Sequence, residues 1–543
     1  MNFLEENIMK KFATYTLAAL MGLGMLQLTT SCSEDSLDIE QKGVTSLSIY
    51  ETGSDADLIS FIGGVYTKFR GDYSSSSGSF GGDGSSCYGL FIYRLTRMSD
   101  EDSDGYLYNE SAEGASMEAN WSFFYTICYW CNMIIDRVPN NTVASTSVKN
   151  QVVAEARAMR AISMMYLVQL WGDAPLADHI MNGTEGNTPA SESWAWIERE
   201  LEEAAAALPS KSGVDGQKSI GGRLTREACL AYKGKAQLWQ GNYSAAAQTL
   251  SQVIGSGLYA LEENFDNLNL STSDLGPENI FEFNFDDSDE FLAGQEGSMD
   301  IYAFGSNSVM CYGVTFPLLY MNWGNGSNPT QDLYNFYLAH DGTDSPRMNG
   351  CVLSKEGFNA ITANMNAMSF PIANNQGYFR MRNICRADDK VGTFPQEFNK
   401  KNTVYLRYAE VLLDYAEAVC NGGAAGQVSG LDALNMVRRR AGLEDAPSLD
   451  MNNATYGIKA ERRAELYREG VRYIDCVRWG DAETAFAKTG VNTYQFGGEG
   501  EAGNYTFTST PTGFGGWKAR YAHFPIPASD VSNNPNLTQN TGW

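Results

Sequence analysis

The sequence predicts a mainly α-helical protein, and three observations carry that prediction. Between residues 225 and 258, Ala228, Ala231, Tyr232, Ala236 and Trp239 recur at helical spacing, and after Gly241-Asn242 a second stripe follows at Tyr243, Ala246, Ala247, Leu250, Val253 and Ile254. Steps of three, four and seven residues put each set on one helix face, and the Gly-Asn pair marks a tight turn between two antiparallel helices. Residues 161–171 (AISMMYLVQLW) are apolar on every side, which suits a helix buried at the centre of a core. Finally, Leu230, Gly234, Gly241, Tyr243, Ala246 and Leu250 stand at the spacing of a tetratricopeptide repeat, although Leu258 occupies the position where that repeat prefers Pro.

A helix pair of this kind cannot bury its apolar face alone, so further pairs are expected. The candidates are residues 121–138 with 152–171, 194–208, and 405–420 with 431–441. In residues 458–479, Glu461, Glu465 and Glu469 interleave with Arg462, Arg463, Arg468, Arg472 and Arg478. Helical i, i+4 ion pairs and Arg stems lying over apolar surface account for that pattern without chemistry. Phe281, Phe283 and Phe285 alternate with Glu282 and Asn284, the period of a short strand.

Between the helical blocks the character changes. Residues 71–116 are rich in Gly, Ser, Asp and Tyr, and residues 286–330 are similar, with six glycines from Gly294 to Gly326. Loops this long in a folded protein are functional or disordered, and these carry aromatics, which disordered tracts rarely do. The whole chain, 543 residues, has 10 Trp, 29 Tyr and 26 Phe, enough apolar material for a large core. Its 65 Asp and Glu against 39 Lys and Arg give a formal charge of −26, which argues against nucleic acid, since phosphate binding needs a basic face.

Residues 12–28 form an apolar stretch preceded by Lys10 and Lys11 and followed by Thr29, Thr30 and Ser31, the grammar of a signal peptide over residues 1–31. Glu5 and Glu6 spoil the basic opening, whereas a start at Met9 would give Met-Lys-Lys. Cys32 then stands where a lipoprotein signal peptidase needs a thioether-lipidated cysteine. Residues 32–50 are read as a lipidated tether and residues 51–543 as one domain. No later segment approaches 18 uninterrupted apolar residues, so nothing after the leader is expected to span a membrane as a helix. Cys128 and Cys131 form a C-x-x-C inside a helical run rather than at a helix N-terminus, and are read as buried thiols.

Enzyme signatures are mostly missing: there is no H-E-x-x-H, no G-x-S-x-G and no P-loop, and His179, His340 and His523 lie far apart. Gly498, Gly500 and Gly503 fit G-x-G-x-x-G, but Glu499 and Glu501 would repel a pyrophosphate and a strand-like segment follows, so this is a loop match only. Asp100, Asp102 and Asp104 spell the start of a calcium loop, without the Glu that an EF-hand demands at its twelfth position. They are candidate calcium ligands, against a solvated acidic loop as the plainer reading. No other cofactor is indicated.

Six segments in order, residues 155–176, 222–254, 328–342, 405–420, 461–481 and 524–543, together resemble the SusD-like (RagB/SusD) outer-membrane nutrient-binding lipoproteins. The closing block, with Pro525, Ile526, Pro527, Asn534, Pro535, Asn536, Gln539, Asn540 and Gly542, is the most specific. The resemblance implies a mainly α, SusD-like fold in which four tetratricopeptide-like helix pairs support a loop-rich ligand-binding face. It further implies a non-enzymatic, lipid-anchored protein of the outer membrane, exposed at the cell surface. Such a protein captures oligosaccharide for a SusC-like TonB-dependent transporter. A peptide-binding member of the same family, and a surface glycosidase or other hydrolase, are the alternatives.

Sugars present flat C–H faces ringed by hydroxyls, so a binding platform needs exposed aromatics beside amides, carboxylates or Arg. The candidates are Tyr73, Tyr88, Tyr106 and Tyr108 from the first loop region and Tyr320, Asn322, Trp323 and Asn325 from the second.

Overall fold

The computed structural model describes residues 47–70, 73–74, 79–80, 88–101, 117–211, 222–283, 329–343, 345–354, 356–357, 378–382, 389–393, 396–399, 401–487, 491–497, 506–512 and 517–543. The chain divides into two units, residues 1–49 and 50–543, and the elements that follow belong to the second. In chain order its α-helices of six residues or more are α1 (Asp55–Arg70), α2 (Tyr88–Arg97), α3 (Glu118–Arg137), α4 (Thr146–Trp171), α5 (Ala190–Ala207), α6 (Arg226–Trp239) and α7 (Tyr243–Gly255). After these come α8 (Gln331–His340), α9 (Pro346–Cys351), α10 (Tyr408–Cys420), α11 (Gly430–Arg440), α12 (Ile458–Glu465), α13 (Val471–Trp479) and α14 (Ala528–Asn533).

Four antiparallel pairs build the scaffold: α1 with α3, α4 with α5, α6 with α7, and α10 with α11. The first helix of each pair touches the first of the next, and the second of each packs on the first of the next, the stacking of a helical solenoid. The 225–258 pair is present as read. The helices expected over 121–138 and 152–171 also pack together, and in the stack α3 additionally closes on α1 while α4 begins the next pair with α5. In α1, Leu58, Ile62, Val65 and Phe69 are buried at helical spacing, but Gly63-Gly64 interrupts the propensity that would announce a helix. Gly64 lies beneath the Trp130 ring of α3.

Residues Ala158 to Trp171 of α4 are buried without a break, which confirms the all-apolar run as a central helix. Its last carbonyls have no partner within the helix and are met by the C-terminal block. Phe524 N donates to Leu170 O at 2.7 Å, Asn540 Nδ2 to Trp171 O at 2.9 Å, and the Trp171 indole to Pro525 O at 3.0 Å. Gln539 holds the Ile526 backbone at both N and O, at 2.8 and 2.7 Å.

Among the described residues strands occur only in two-stranded antiparallel pairs: β1 (Tyr73–Ser74) with β2 (Ser79–Phe80), β3 (Asn279–Phe283) with β8 (Thr403–Arg407), β4 (Val352–Ser354) with β5 (Tyr378–Arg380), β6 (Lys390–Thr393) with β7 (Gln396–Asn399), and β9 (Val491–Gly497) with β10 (Thr506–Thr512). β3 is the phenylalanine strand, buried on both faces; Phe285 lies outside the described residues. β3 and β8 bracket the long insertion between α7 and α10, two helices that pack together although some 150 residues separate them.

The charged segment 458–479 departs from the surface pattern expected of it. It breaks into α12 and α13, with Arg468 (φ 65°) and Gly470 (φ 75°) in the turn between them. Glu461, Arg462, Glu465, Arg468 and Asp475 are buried, and the segment pairs with remote elements. Arg347 grips Asp341 at 2.7 and 2.8 Å and reaches Glu461 at 2.5 Å and Glu465 at 3.2 Å. Arg407 contacts Glu278 at 2.5 Å, Glu465 at 2.7 Å and both Glu469 oxygens at 3.0 Å. Arg440 joins Glu278 at 3.0 Å and also pairs with Glu465, while Arg438 bonds Glu461 at 2.8 Å. Burial acts to raise the Glu465 pKa, but Arg440, Arg407 and Arg347 outweigh it and hold it down at about 2.

Two stability tests follow from this packing. Leu250 of α7 lies against the bare Gly234 backbone of α6, and a methyl group there would overlap its side chain. Gly234→Ala is therefore expected to cost about 1–3 kcal/mol in urea denaturation, despite the better helix propensity of Ala. Glu465→Gln leaves buried guanidiniums short of a partner and is expected to cost about 3–5 kcal/mol at pH 7. Because the folded pKa lies below the ordinary 4.5, this contribution is complete above about pH 4.5 and is lost as the pH falls towards 2. The gap between variant and wild type should narrow over that window in denaturation curves.

Candidate functional site

The two aromatic loop regions leave the scaffold side by side. Phe69, at the end of α1, is the last buried ring before residues 71–116, and Phe283, at the end of β3, is the last before the second region. Their rings stack at 5.7 Å, with Tyr66 at 5.8 Å and Tyr405 of β8 at 4.7 Å from Phe283. A four-ring cluster thus fixes where both regions depart.

A second contact joins them further along. Thr330 caps α8 by accepting from Leu333 N at 3.1 Å, and its hydroxyl donates to Asp100 O at 2.9 Å. Thr330 N donates to Glu101 O at 3.1 Å. The chain just before residues 102–116 is therefore hydrogen-bonded to the chain just after the second region. Both strands of this junction are pinned to the helices behind them. Arg472 of α13 binds Asp100 through two bonds of 2.9 Å, and Arg463 of α12 bridges Asp100 at 3.0 Å and Asp332 at 2.9 Å. Fork-on-carboxylate geometry fixes direction as well as distance.

Glu101 sits beside this cluster, fully buried, with one carboxyl oxygen lacking a partner among the described residues. Burial, and then the Asp100 charge, push its pKa up to about 8 despite three nearby arginines, so it is mostly neutral at pH 7.

Tyr73 opens β1 and Tyr88 opens α2. Tyr106, Tyr108, Tyr320, Asn322, Trp323 and Asn325 lie outside the described residues, as does Cys32. Of the candidate calcium ligands, Asp102 and Asp104 lie outside too. Asp100 has both oxygens committed to guanidiniums, which makes it a strut of the loop junction in this geometry. Among the described residues no group of three His, Cys, Asp or Glu is disposed to hold a metal ion. Gly498, Gly500 and Gly503 lie outside the described residues; the segments on either side of them, β9 and β10, are strands paired with each other. Cys128 and Cys131 are buried, and burial pushes the Cys128 thiol up to about 12, away from redox reactivity. Sequence reasoning missed the anchors Thr330, Arg463 and Arg472. Thr330 was legible as an N-cap before QDLYNFYLAH, but nothing local tells which chain its hydroxyl meets.

The sequence profile of the SusD family matches residues 277–543, from the entrance of β3 through the buried charge network to the closing block. A SusD-like protein of Formosa agariphila is 24% identical over 387 residues, covering 68% of this chain and 71% of that protein. The starch-binding protein SusD of Bacteroides thetaiotaomicron is 23% identical over 458 residues, 76% of each chain. Among solved structures, surface glycan-binding protein A from Bacteroides thetaiotaomicron, in complex with laminarihexaose, superposes with a TM-score of 0.68 at 19% identity, covering 90% of this chain and 99% of that one. The profile match, the relatives and the four-pair scaffold agree: residues 277–543 belong to the SusD (RagB/SusD) family, and the chain as a whole has the fold of SusD-like proteins.

Proposed function

We propose that this protein is a lipid-anchored, surface-exposed glycan-binding component of the outer membrane, which captures oligosaccharide on its two aromatic loop regions and delivers it to a SusC-like TonB-dependent transporter. It is not an enzyme, as its family is one of non-catalytic glycan-binding proteins. The observation that carries the reading is the double rooting of the loop regions, at Phe69–Phe283 and at Asp100–Thr330, on a scaffold shared with a laminarihexaose-binding structure. Fixing both regions at two points lowers the entropy lost when their aromatic and amide side chains close on a ligand. A neutral glycan also suits a chain of charge −26, which would repel an acidic one.

Calorimetry against a panel of neutral oligosaccharides, with chromatography of the mixtures afterwards, tests this directly. Binding without new products is expected, and product formation would refute it. Trp323→Ala should weaken binding roughly tenfold, about 1.4 kcal/mol; an unchanged affinity removes Trp323 from the site. Cys32→Ala should move the protein from the membrane fraction to the soluble fraction, since the lipid would be its only anchor.

A further inference from the structure

A cavity of about 400 Å³ opens between α3, the segment after α4 and the C-terminal block, and none of its lining residues comes from the two loop regions. Its volume falls in the ordinary range of small-ligand sites. Trp121, Ser122, Tyr125, Tyr129 and Asn132 of α3 line it, at i, i+1, i+4, i+8 and i+11, so one helix face forms a wall. Trp121 and Tyr125 are fixed: their rings pack at 4.8 Å, the Trp121 indole donates to Asp530 at 2.8 Å, and the Tyr125 hydroxyl donates to Pro175 O at 2.7 Å. Tyr129 is the exception, a large ring left 48% exposed on a helix whose neighbouring aromatics are mostly buried.

The polar groups that line the cavity with that ring are built in. Glu185 accepts from the backbone N–H of Asn182 and Gly183 at 2.8 and 2.9 Å, and Asp530 accepts from the Trp121 indole. Each carboxylate is thereby oriented with acceptor capacity left over. Asn534 is held between Glu185 O and Asn536 N, at 2.8 and 3.0 Å. Asn533, Ser122 and Tyr129 add an amide and two hydroxyls to the lining.

We propose that this cavity is a second carbohydrate site, which takes a mono- or disaccharide unit of a neutral glycan, with a sugar face on Tyr129 and hydroxyls donated to Glu185 and Asp530. The alternatives fail on charge and desolvation. An anionic ligand meets the Glu185 and Asp530 carboxylates of the lining. An apolar side chain filling the cavity would cover both without supplying a donor, and burying an unmatched charged acceptor is costly. A polyhydroxyl ligand supplies donors to the carboxylates and an apolar face to the ring.

The site goes beyond the proposed function and is tested apart from it. The Trp121 indole N–H, in protein labelled with ¹⁵N at tryptophan and assigned with Trp121→Phe, reports on the cavity directly. In Trp323→Ala protein, laminarihexaose, maltohexaose or xylohexaose is expected to shift that resonance saturably. Adding Tyr129→Ala should weaken the response roughly tenfold with the thermal midpoint unchanged, since the ring is half exposed, and should leave loop-region affinity in an otherwise wild-type chain as it was. No shift with any of the three sugars, a shift with oligogalacturonate alone, or an unaltered response in Tyr129→Ala overturns the second site. A Trp121 response retained where Trp323→Ala changes nothing elsewhere supports the cavity and counts against the loop assignment only.

Discussion

The buried exchange between guanidiniums and carboxylates around Glu465 is the constraint on which the rest of the architecture depends. Its members come from five places: Glu278 at the entrance of β3, Arg407 at the end of β8, Asp341 and Arg347 beside α8 and α9, Arg438 and Arg440 on α11, and Glu461, Glu465 and Glu469 around α12. Desolvating these charges is costly, and a buried pair is weak evidence of net stability. What the network supplies is direction: each fork and carboxylate accepts one geometry, so the insertion can be docked on the last helix pair in one way. Water would compete at the surface; in the interior the charges have only each other.

That docking explains how a solenoid carries a ligand face. Helix α7 packs on α10 as though nothing intervened, and the residues between them leave and return through the paired strands β3 and β8. β3 presents Phe283 to Phe69 of α1, so the insertion from the middle of the chain starts beside the loop region near its beginning. Arg463 and Arg472, from the segment that builds the charge network, hold Asp100 and with it the Thr330 junction. One segment therefore serves both, its glutamates taking the core arginines and its own Arg463 and Arg472 holding the roots of the loops, and charge in this chain is more structural than its net excess of acids suggests.

The aromatics divide in the same way. Trp171, Tyr232 and Phe281 are sealed in the core, while Tyr129 and Trp130 stand partly open on a helix whose sequence reads as core throughout. The run WSFFYTICYWC has apolar residues on every side, and only the stacking of α1 and α4 against it decides which side stays uncovered. For that reason the cavity beside Tyr129 left no mark in the sequence, whereas the Gly- and Tyr-rich loop regions did.

Helical period, the glycine at 234, the turn at 241–242 and the closing Asn/Pro block were legible because each is a local pattern with a local physical cause: a face to bury, a close approach, a positive φ, a set of amides for orphan carbonyls. Four helix pairs followed from them and from the family resemblance, though α1, which opens the stack against α3, was hidden by Gly63-Gly64. The sequence by itself determined a helical-repeat scaffold with two aromatic loop regions and an acidic balance hostile to nucleic acid. Only the tertiary structure decided that Glu461 and Glu465 are buried against Arg347, Arg407 and Arg438, that Asp100 holds a loop root, and that Thr330 reaches across 229 positions to Glu101. The reason is physical: a charge or hydroxyl has the same local signature on a wet surface and in a dry junction, and its role is set by partners that arrive from elsewhere in the chain.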